Sequence, residues 1–279
     1  MGTLSGLAKV IASSGGALTA AVLSFVYLYS LVQPARGYLG SGDERANRSG
    51  LRARLASSAL ARRSMRFRMR DGSRVRSRIV DSGGLLSVHV DGDYDIHGLD
   101  WSAARTIVDI GAHVGSFTVW AGRRAPEARV LAVEPNPATF ALLVENIDRN
   151  GLAKRVNAVN AALADSAGTV QLELVEHSLG TRITRDGRGG VQARAQTLEG
   201  FLSDAGIQEV DILKVDCEGT EYAVFETMSP DSLSRIKALV CEYHPVPNHD
   251  VSELDSVLRN AGFQVHRPNA PLGVLWATR

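Results

Sequence analysis

Hydrophobic and polar positions along the 279-residue chain fall into three successive patterns. The first is apolar and helical. Residues 17–32 (ALTAAVLSFVYLYSLV) run 16 positions without a charge, and Leu4–Ala12 extends them across a Ser13–Gly16 break. About 20 such residues span a bilayer, so the run is short for a span. It predicts either a helix in contact with a membrane or one packed on the folded body. The second pattern, over 62–78, alternates with period two on either side of Asp71-Gly72, a β-hairpin signature. The third begins at Arg105, where short continuous apolar runs alternate with amphipathic stretches, as in βαβ units with a parallel sheet.

Within the third pattern, Thr106–Ile110 reads as a strand buried on both faces, Gly111–Gly115 as a turn and Ser116–Arg124 as a helix. Strands follow at Arg129–Glu134 and Val156–Ala161, with a helix between them over Pro137–Asn150, its proline suited to the first turn. A hairpin-like insert is expected at Thr169–Val175 and Val191–Ala195. Val210–Asp216 and Ile236–His244 are the next buried strands, Val251–Ala261 a helix, and Phe263–His266 and Gly273–Ala277 two short closing strands. The expected organisation is an apolar and Arg-rich segment (1–62), a hairpin with its lead-in (63–104) and an α/β domain (105–279).

Charge adds an asymmetry. The formal net charge is +1, yet residues 36–78 hold 13 arginines against Asp43, Glu44 and Asp71, and residues 79–279 are correspondingly acidic. Such a split concerns partners more than fold. The arginines suit anionic lipid, nucleic acid, or docking on the acidic body. Phe67 is the only ring between Arg62 and Arg78, too little for base stacking, and the acidic body argues against nucleic acid. Composition, with 44% hydrophobic and 22% charged residues, excludes a disordered chain. Two cysteines, Cys217 and Cys241, are too few for a disulfide framework and favour a reducing, cytoplasmic compartment, membrane-associated if residues 17–32 touch a bilayer.

The polar residues that interrupt the apolar strands point to a site. Asp109, Glu134, Asp216 with Glu218, and Glu242 with His244 all lie at or just past C-terminal strand ends, where open α/β sheets bind ligands. Asp109–Gly115 is a D-x-G-x-x-x-G turn, and Glu134 follows Gly115 by 19 residues, placed for ribose hydroxyls. That pair fits a dinucleotide or S-adenosylmethionine. A carboxylate at Asp109 suits a sulfonium and amino group better than a pyrophosphate, and the G-x-G-x-x-G spacing is missing. S-adenosylmethionine is therefore the expected cofactor. A nicotinamide-dependent oxidoreductase and a non-catalytic membrane- or nucleic-acid-binding module are the alternatives.

Five blocks carry a family resemblance: VDIGAHVGSFT (108–118), VEPNPATFALLVENIDRN (133–150), NAALADSAGTV (160–170), VDILKVDCEGTEYAVFE (210–226) and CEYHP (241–245). From about Asp81 to Pro245 the chain resembles the FkbM-type S-adenosylmethionine-dependent methyltransferases. The resemblance implies a class I methyltransferase, Rossmann-like α/β fold. Its sheet is seven-stranded and mostly parallel, with an antiparallel strand at the end and helices on both faces. It implies that Asp109, Gly111 and Gly115 hold the methionine moiety and Glu134 the ribose. Asn136 and the 162–165 turn with Asp165 would flank the adenine. His113 stands where the family usually has asparagine, and is carried as a cofactor contact that departs from the pattern. No metal is required. The implied reaction is methylation of a hydroxyl on a sugar, glycoconjugate, glycolipid or natural product.

For the chemistry, Asp216, His244 and Glu218 are the candidate catalytic residues. Transfer to a hydroxyl needs a proton acceptor, and either His244 or Asp216 can serve. With His244 as base, the rate should rise through about pH 6–7. Lys214 reads as an ion pair inside the sheet, residues 176–190 as a lid, and Asp91–Tyr94 as a wall for the acceptor. Every cofactor motif lies after Val108, so removing residues 1–35 is expected to leave cofactor binding intact.

Overall fold

The computed structural model describes residues 2–31, 62–174, 181–184, 190–268, 270 and 272–279. Most of the lid expected at 176–190 and the Arg-rich stretch 36–61 lie outside the described residues. Helices α1 (Gly2–Ser13) and α2 (Ala17–Leu31) are separate, divided where the two glycines at 15 and 16 interrupt the apolar run. No helix among the described residues is long and apolar enough to cross a membrane. The connection between them pairs with the hairpin: Ser14 bridges Met69, and Gly15 N donates to Arg68 O at 2.7 Å.

The hairpin itself, β1 (Ser64–Arg68) and β2 (Arg74–Arg78), is antiparallel with Phe67 opposite Val75. Period-two alternation turns Phe67 and Val75 inward, and Arg66, Arg68, Arg74 and Arg76 to the other face. The inward face packs with Val10 of α1, Leu23 of α2, Leu85, Val90 and Val114 in one buried cluster. Val114 belongs to the glycine turn. The N-terminal helices therefore pack against the hairpin and the glycine turn, so their removal bears on the fold as well. We expect Leu23→Ala, at a position with no exposed surface, to cost about 2–5 kcal/mol. Removing residues 1–31 should cost more. A thermal melt of either protein unchanged from wild type would contradict this packing.

The main sheet follows from buried apolar runs. Strands β3 (Thr106–Ile110), β4 (Arg129–Val133) and β5 (Val156–Val159) are parallel to one another. A smaller sheet comes next in the chain, built of β6 (Ala162–Leu163), β7 (Gly168–Glu173), β8 (Arg182–Thr184) and β9 (Val191–Gln196). The expected hairpin is its β7–β9 pair. Strands β10 (Val210–Val215) and β11 (Ile236–Tyr243) return to the main sheet in parallel, and β12 (Gln264–His266) and β13 (Gly273–Thr278) close it, β13 antiparallel to both neighbours. The order β12-β13-β11-β10-β3-β4-β5 has the seven strands and the antiparallel member that were expected.

Both faces are covered. Helices α3 (Ser116–Arg124) and α4 (Pro137–Arg149) lie on one side. There Phe117 and Trp120 pack on Ile107, Val130 and Ile212, while Leu143 and Ile147 pack on Ala132. On the other side α5 (Leu198–Asp204), α6 (Glu221–Thr227), the short α7 (Pro230–Ser234) and α8 (Val251–Asn260) cover Val108, Ile110, Leu213 and Leu239. The chain enters the sheet at β3, builds β4 and β5 to one side, then β10 and β11 to the other. The order reverses between β3 and β10, and the crevice of such sheets opens outside that pair's carboxyl ends.

Candidate active site

Glu134 lies just past β4, 5% exposed. Its Oε2 accepts from His113 N at 2.8 Å, and Oε1 from Asn136 N at 2.9 Å and Thr139 Oγ1 at 2.8 Å. Asn136 caps α4, its Oδ1 accepting from Ala138 N at 3.0 Å, with Pro137 opening the helix. The Asn136 amide also donates to Thr181 Oγ1 at 3.4 Å. Burial outweighs these hydrogen bonds and pushes the Glu134 carboxyl up to about 7.

The glycine turn is held against the next strand tip. Gly111 has φ +73°, and a Cβ there would stand 1.7 Å from Asp216 O. Gly115, at φ +85°, leads into α3, where a Cβ would meet Leu143 at 2.7 Å. Both positions need glycine for conformation and for space. Gly111→Ala is expected to cost about 3 kcal/mol or more, roughly 6–12 °C of melting midpoint. An unshifted melt would mean that the turn is built differently. His113 sits in the turn at φ +52°, and burial pushes its imidazole down to about 4, neutral at pH 7.

Asp109 lies at the β3 tip, with its Oδ1 buried and without a hydrogen-bond partner among the described residues. It has no exposed surface; Oδ1 lies 3.2 Å from Lys214 Nζ, and Oδ2 accepts from Thr118 Oγ1. Lys214 Nζ also donates to Gly111 O at 2.7 Å and Ile110 O at 3.2 Å, and lies 3.5 Å from Asp216. Burial opposes the ammonium charge, but Asp109 and Asp216 hold its pKa above the usual lysine value. Lys214 is thus the expected ion pair, and it also fastens the tips of β3 and β10 together.

Asp216, Glu218 and His244, the three candidate catalytic residues, are brought together. Ligand atoms of all three fall within 4.8 Å of one another. His244 Nδ1 is 3.0 Å from Glu221 Oε1, and Nε2 is 3.6 Å from Glu218 and 3.9 Å from Glu242. Glu221 in turn accepts from Cys217 N at 3.0 Å and Gly219 N at 2.8 Å, which shapes the loop carrying Glu218. Burial disfavours the imidazolium, but Glu221, Glu218 and Asp216 outweigh it and raise His244 to about 10. That lies above the pH 6–7 range expected for a histidine base. At neutral pH the ring is a cation, and it supplies the positive charge that such a carboxylate cluster needs.

A second titratable carboxylate, Glu242, lies two residues earlier on the same strand. Burial and the neighbouring Asp216 charge push Glu242 up to about 7, and its side chain keeps 30% of its surface exposed. The Tyr94 hydroxyl donates to Glu242 and stands 3.3 Å from Asp216 Oδ2. Tyr94 packs edge-on against Phe117, centroids 5.7 Å apart, beneath Lys214. From sequence Tyr94 reads as part of a wall for the acceptor and Glu242 as a strand-end neighbour of His244, not as a proton acceptor. The i, i+2 spacing of Glu242 and His244 was the signal that the two share a face. Asp165 stands apart from this assembly, exposed after β6 and accepting from Ser166 Oγ at 3.0 Å.

The glycine-turn side fits a small ligand bearing hydroxyl and amino donors. Ser116 Oγ, at the start of α3, and Asp109 Oδ1 are buried without a hydrogen-bond partner among the described residues.

Residues 109–265 match a family model described as Methyltransferase FkbM domain. The chain is similar to Methyltransferase sdnD of Sordaria araneosa, 28% identical over 196 residues, 59% of this chain and 75% of that protein. It is 25% identical over 217 residues to the 31-O-demethyl-FK506 methyltransferase FkbM of Streptomyces tacrolimicus, covering 66% and 82%. The Hexuronic acid methyltransferase AglP of Haloferax volcanii is 26% identical over 147 residues, covering 52% and 59%.

Proposed function

The chain belongs to the FkbM methyltransferase family, an S-adenosylmethionine-dependent class, and from that premise we propose that it methylates a hydroxyl of a sugar, glycoconjugate, glycolipid or natural product. The observation that carries the reading is the Tyr94–Glu242–Asp216 group at the sheet's switch point, a carboxylate poised to ionise near neutral pH beside the glycine turn. Support for the acceptor class comes from two relatives, one named for 31-O-demethyl-FK506 and one for hexuronic acid.

When bound, S-adenosylmethionine supplies a methyl carbon activated by its sulfonium. Glu134 would hold its ribose hydroxyls, Asn136 and the 162–165 turn with Asp165 would flank its adenine, and the backbone of Gly111, His113 and Gly115 would take its methionine end. Glu242 accepts the hydroxyl proton of the acceptor. Tyr94 and Asp216 orient Glu242, and His244 with Glu218 sets the local charge. Aligning the acceptor oxygen in this pocket removes much of the entropy cost of the bimolecular step.

The pH dependence has a definite sign. A proton acceptor works when deprotonated, so the rate should rise through about pH 7, near the raised pKa of Glu242. Glu242→Gln should erase that limb. His244→Gln removes a charge that lowers the Glu242 pKa, so the limb should move to higher pH. A limb that stays in place in both variants would assign the titration elsewhere. The reaction itself is tested with labelled S-adenosylmethionine and fractionated glycans, lipids and polyhydroxylated natural products, followed by mass spectrometry. A labelled methyl ether is expected. Label on nitrogen or carbon alone would overturn the hydroxyl assignment.

A further inference from the structure

We infer that the α1–α2 corner and the arginine face of the hairpin form one docking surface for an anionic lipid bilayer. The inference stands independently of the catalytic reading. Residues 10–35 carry no charge, and the corner at 11–18 is the part the fold leaves open. Ile11 is 57% exposed and Leu18 66%, while Val10 and Leu23 on the inner side have no exposed surface. The helices thus bury one side on the hairpin and present an apolar tip on the other.

The arginines are attached to that tip. Arg70 N donates to Ser13 O at 2.8 Å and Arg70 Nη1 to Ala12 O at 3.1 Å, while Arg68 N donates to Thr19 Oγ1 at 3.1 Å. On the outer face of the hairpin Arg66 stands opposite Arg76 and Arg68 opposite Arg74. Like charges directly across a ladder repel. Arg76 is relieved by Glu145 at 2.7 Å. No carboxylate pairs with Arg66, Arg68 or Arg74 among the described residues, and all three are exposed. Asp71, the one acidic residue of 62–78, is turned to His89 at 3.4 Å. An unneutralised arginine face continuous with an exposed aliphatic tip is complementary to lipid phosphates above an acyl boundary. Nucleic acid would leave Ile11 and Leu18 unused, and the face offers no ring on which a base could stack.

The test is sedimentation of the full chain with phosphatidylcholine vesicles, with and without phosphatidylserine. Binding is expected only to the anionic vesicles, weakening as salt is raised. Each arginine near such a surface contributes about fivefold in partition, so Arg68→Glu with Arg74→Glu should lower binding by more than about 20-fold. Ile11→Ser with Leu18→Ser should lower it by about tenfold at unchanged salt dependence. Both positions are exposed, so melting midpoints should stay at the wild-type value, and that readout separates lost binding from lost fold. Equal binding to neutral vesicles, or no binding to either, would overturn the inference. So would tight binding to single-stranded RNA that survives the Ile11/Leu18 double variant, which would mark a nucleic-acid surface instead.

Discussion

Glu242→Gln is expected to slow methyl transfer by about 100- to 10,000-fold while S-adenosylhomocysteine binds within a few-fold of wild type. Glutamine keeps the size of the side chain and can still accept from the Tyr94 hydroxyl, so the loss falls on proton acceptance. The proposed cofactor contacts follow β3, β4 and β5 and are untouched. The deficit should therefore lie in kcat rather than in KM. Tyr94→Phe removes only the donor that fixes the carboxylate, so a smaller loss is expected, together with a shifted pH limb. His244→Ala differs in kind. It removes a cation lying among Glu218, Glu221 and Glu242, and should slow the reaction chiefly by raising the pKa of Glu242. Raising the pH should then restore part of the rate in His244→Ala and none in Glu242→Gln. Near-normal turnover of Glu242→Gln would leave the acceptor role to Asp216, or leave alignment alone as the catalytic device.

Glu134→Ala should weaken S-adenosylhomocysteine binding by more than about a hundredfold, on the order of 3 kcal/mol for two charge-assisted hydrogen bonds. Part of the effect is indirect. The carboxylate gathers His113 N, Asn136 N and Thr139 Oγ1, so alanine leaves three donors without their acceptor and loosens the turn and the start of α4 together. Glu134→Gln separates the two contributions, since its one carbonyl oxygen keeps some of those bonds while the charge is lost. Protonation provides a second reading. Burial pushes the Glu134 carboxyl up to about 7. Ribose hydroxyl donors favour the charged form, so binding near pH 7 should release protons. The binding enthalpy of wild type should then depend on the ionisation enthalpy of the buffer, and that dependence should vanish in Glu134→Ala. Unchanged affinity in a folded Glu134→Ala protein would remove the ribose assignment.

Much of the catalytic domain was legible because its strands are buried on both faces. Thr106–Ile110 and Val210–Val215 are continuous apolar runs interrupted only by Asp109, Asp211 and Lys214, and those interruptions carry polar work. Asp211, near the start of β10, accepts from Arg105 N and Thr106 N at 2.7 and 2.9 Å and so sets the register of β3. Strand-tip positions were legible too, since period and length alone place Glu134, Asp216 and Glu242. What those groups do was less so. The charge state of His244 depends on Glu221 turning back from α6, a distance no spacing encodes. Asp109 read as a ligand contact because its motif faces the cofactor turn; Lys214 from the neighbouring strand lies 3.2 Å from its Oδ1 and Thr118 from α3 donates to its Oδ2, contacts that no spacing encodes. The N-terminal helices were ambiguous for the same reason. An uncharged run suits a bilayer or a protein core equally well, and the partner that decides, the inner face of the hairpin, lies some 40 residues away in sequence.

The central claim is that the crevice at the tips of β3, β4 and β10 takes S-adenosylmethionine and that Glu134 with the 109–115 turn makes it do so. Isothermal titration of the full chain with S-adenosylhomocysteine, run beside an identical titration with NADH, addresses it directly. Saturable one-site binding of S-adenosylhomocysteine with no NADH heat is the predicted result. Saturable binding of NADH with none of S-adenosylhomocysteine would contradict the account, because the same carboxylate and glycine turn would then be serving a nicotinamide cofactor.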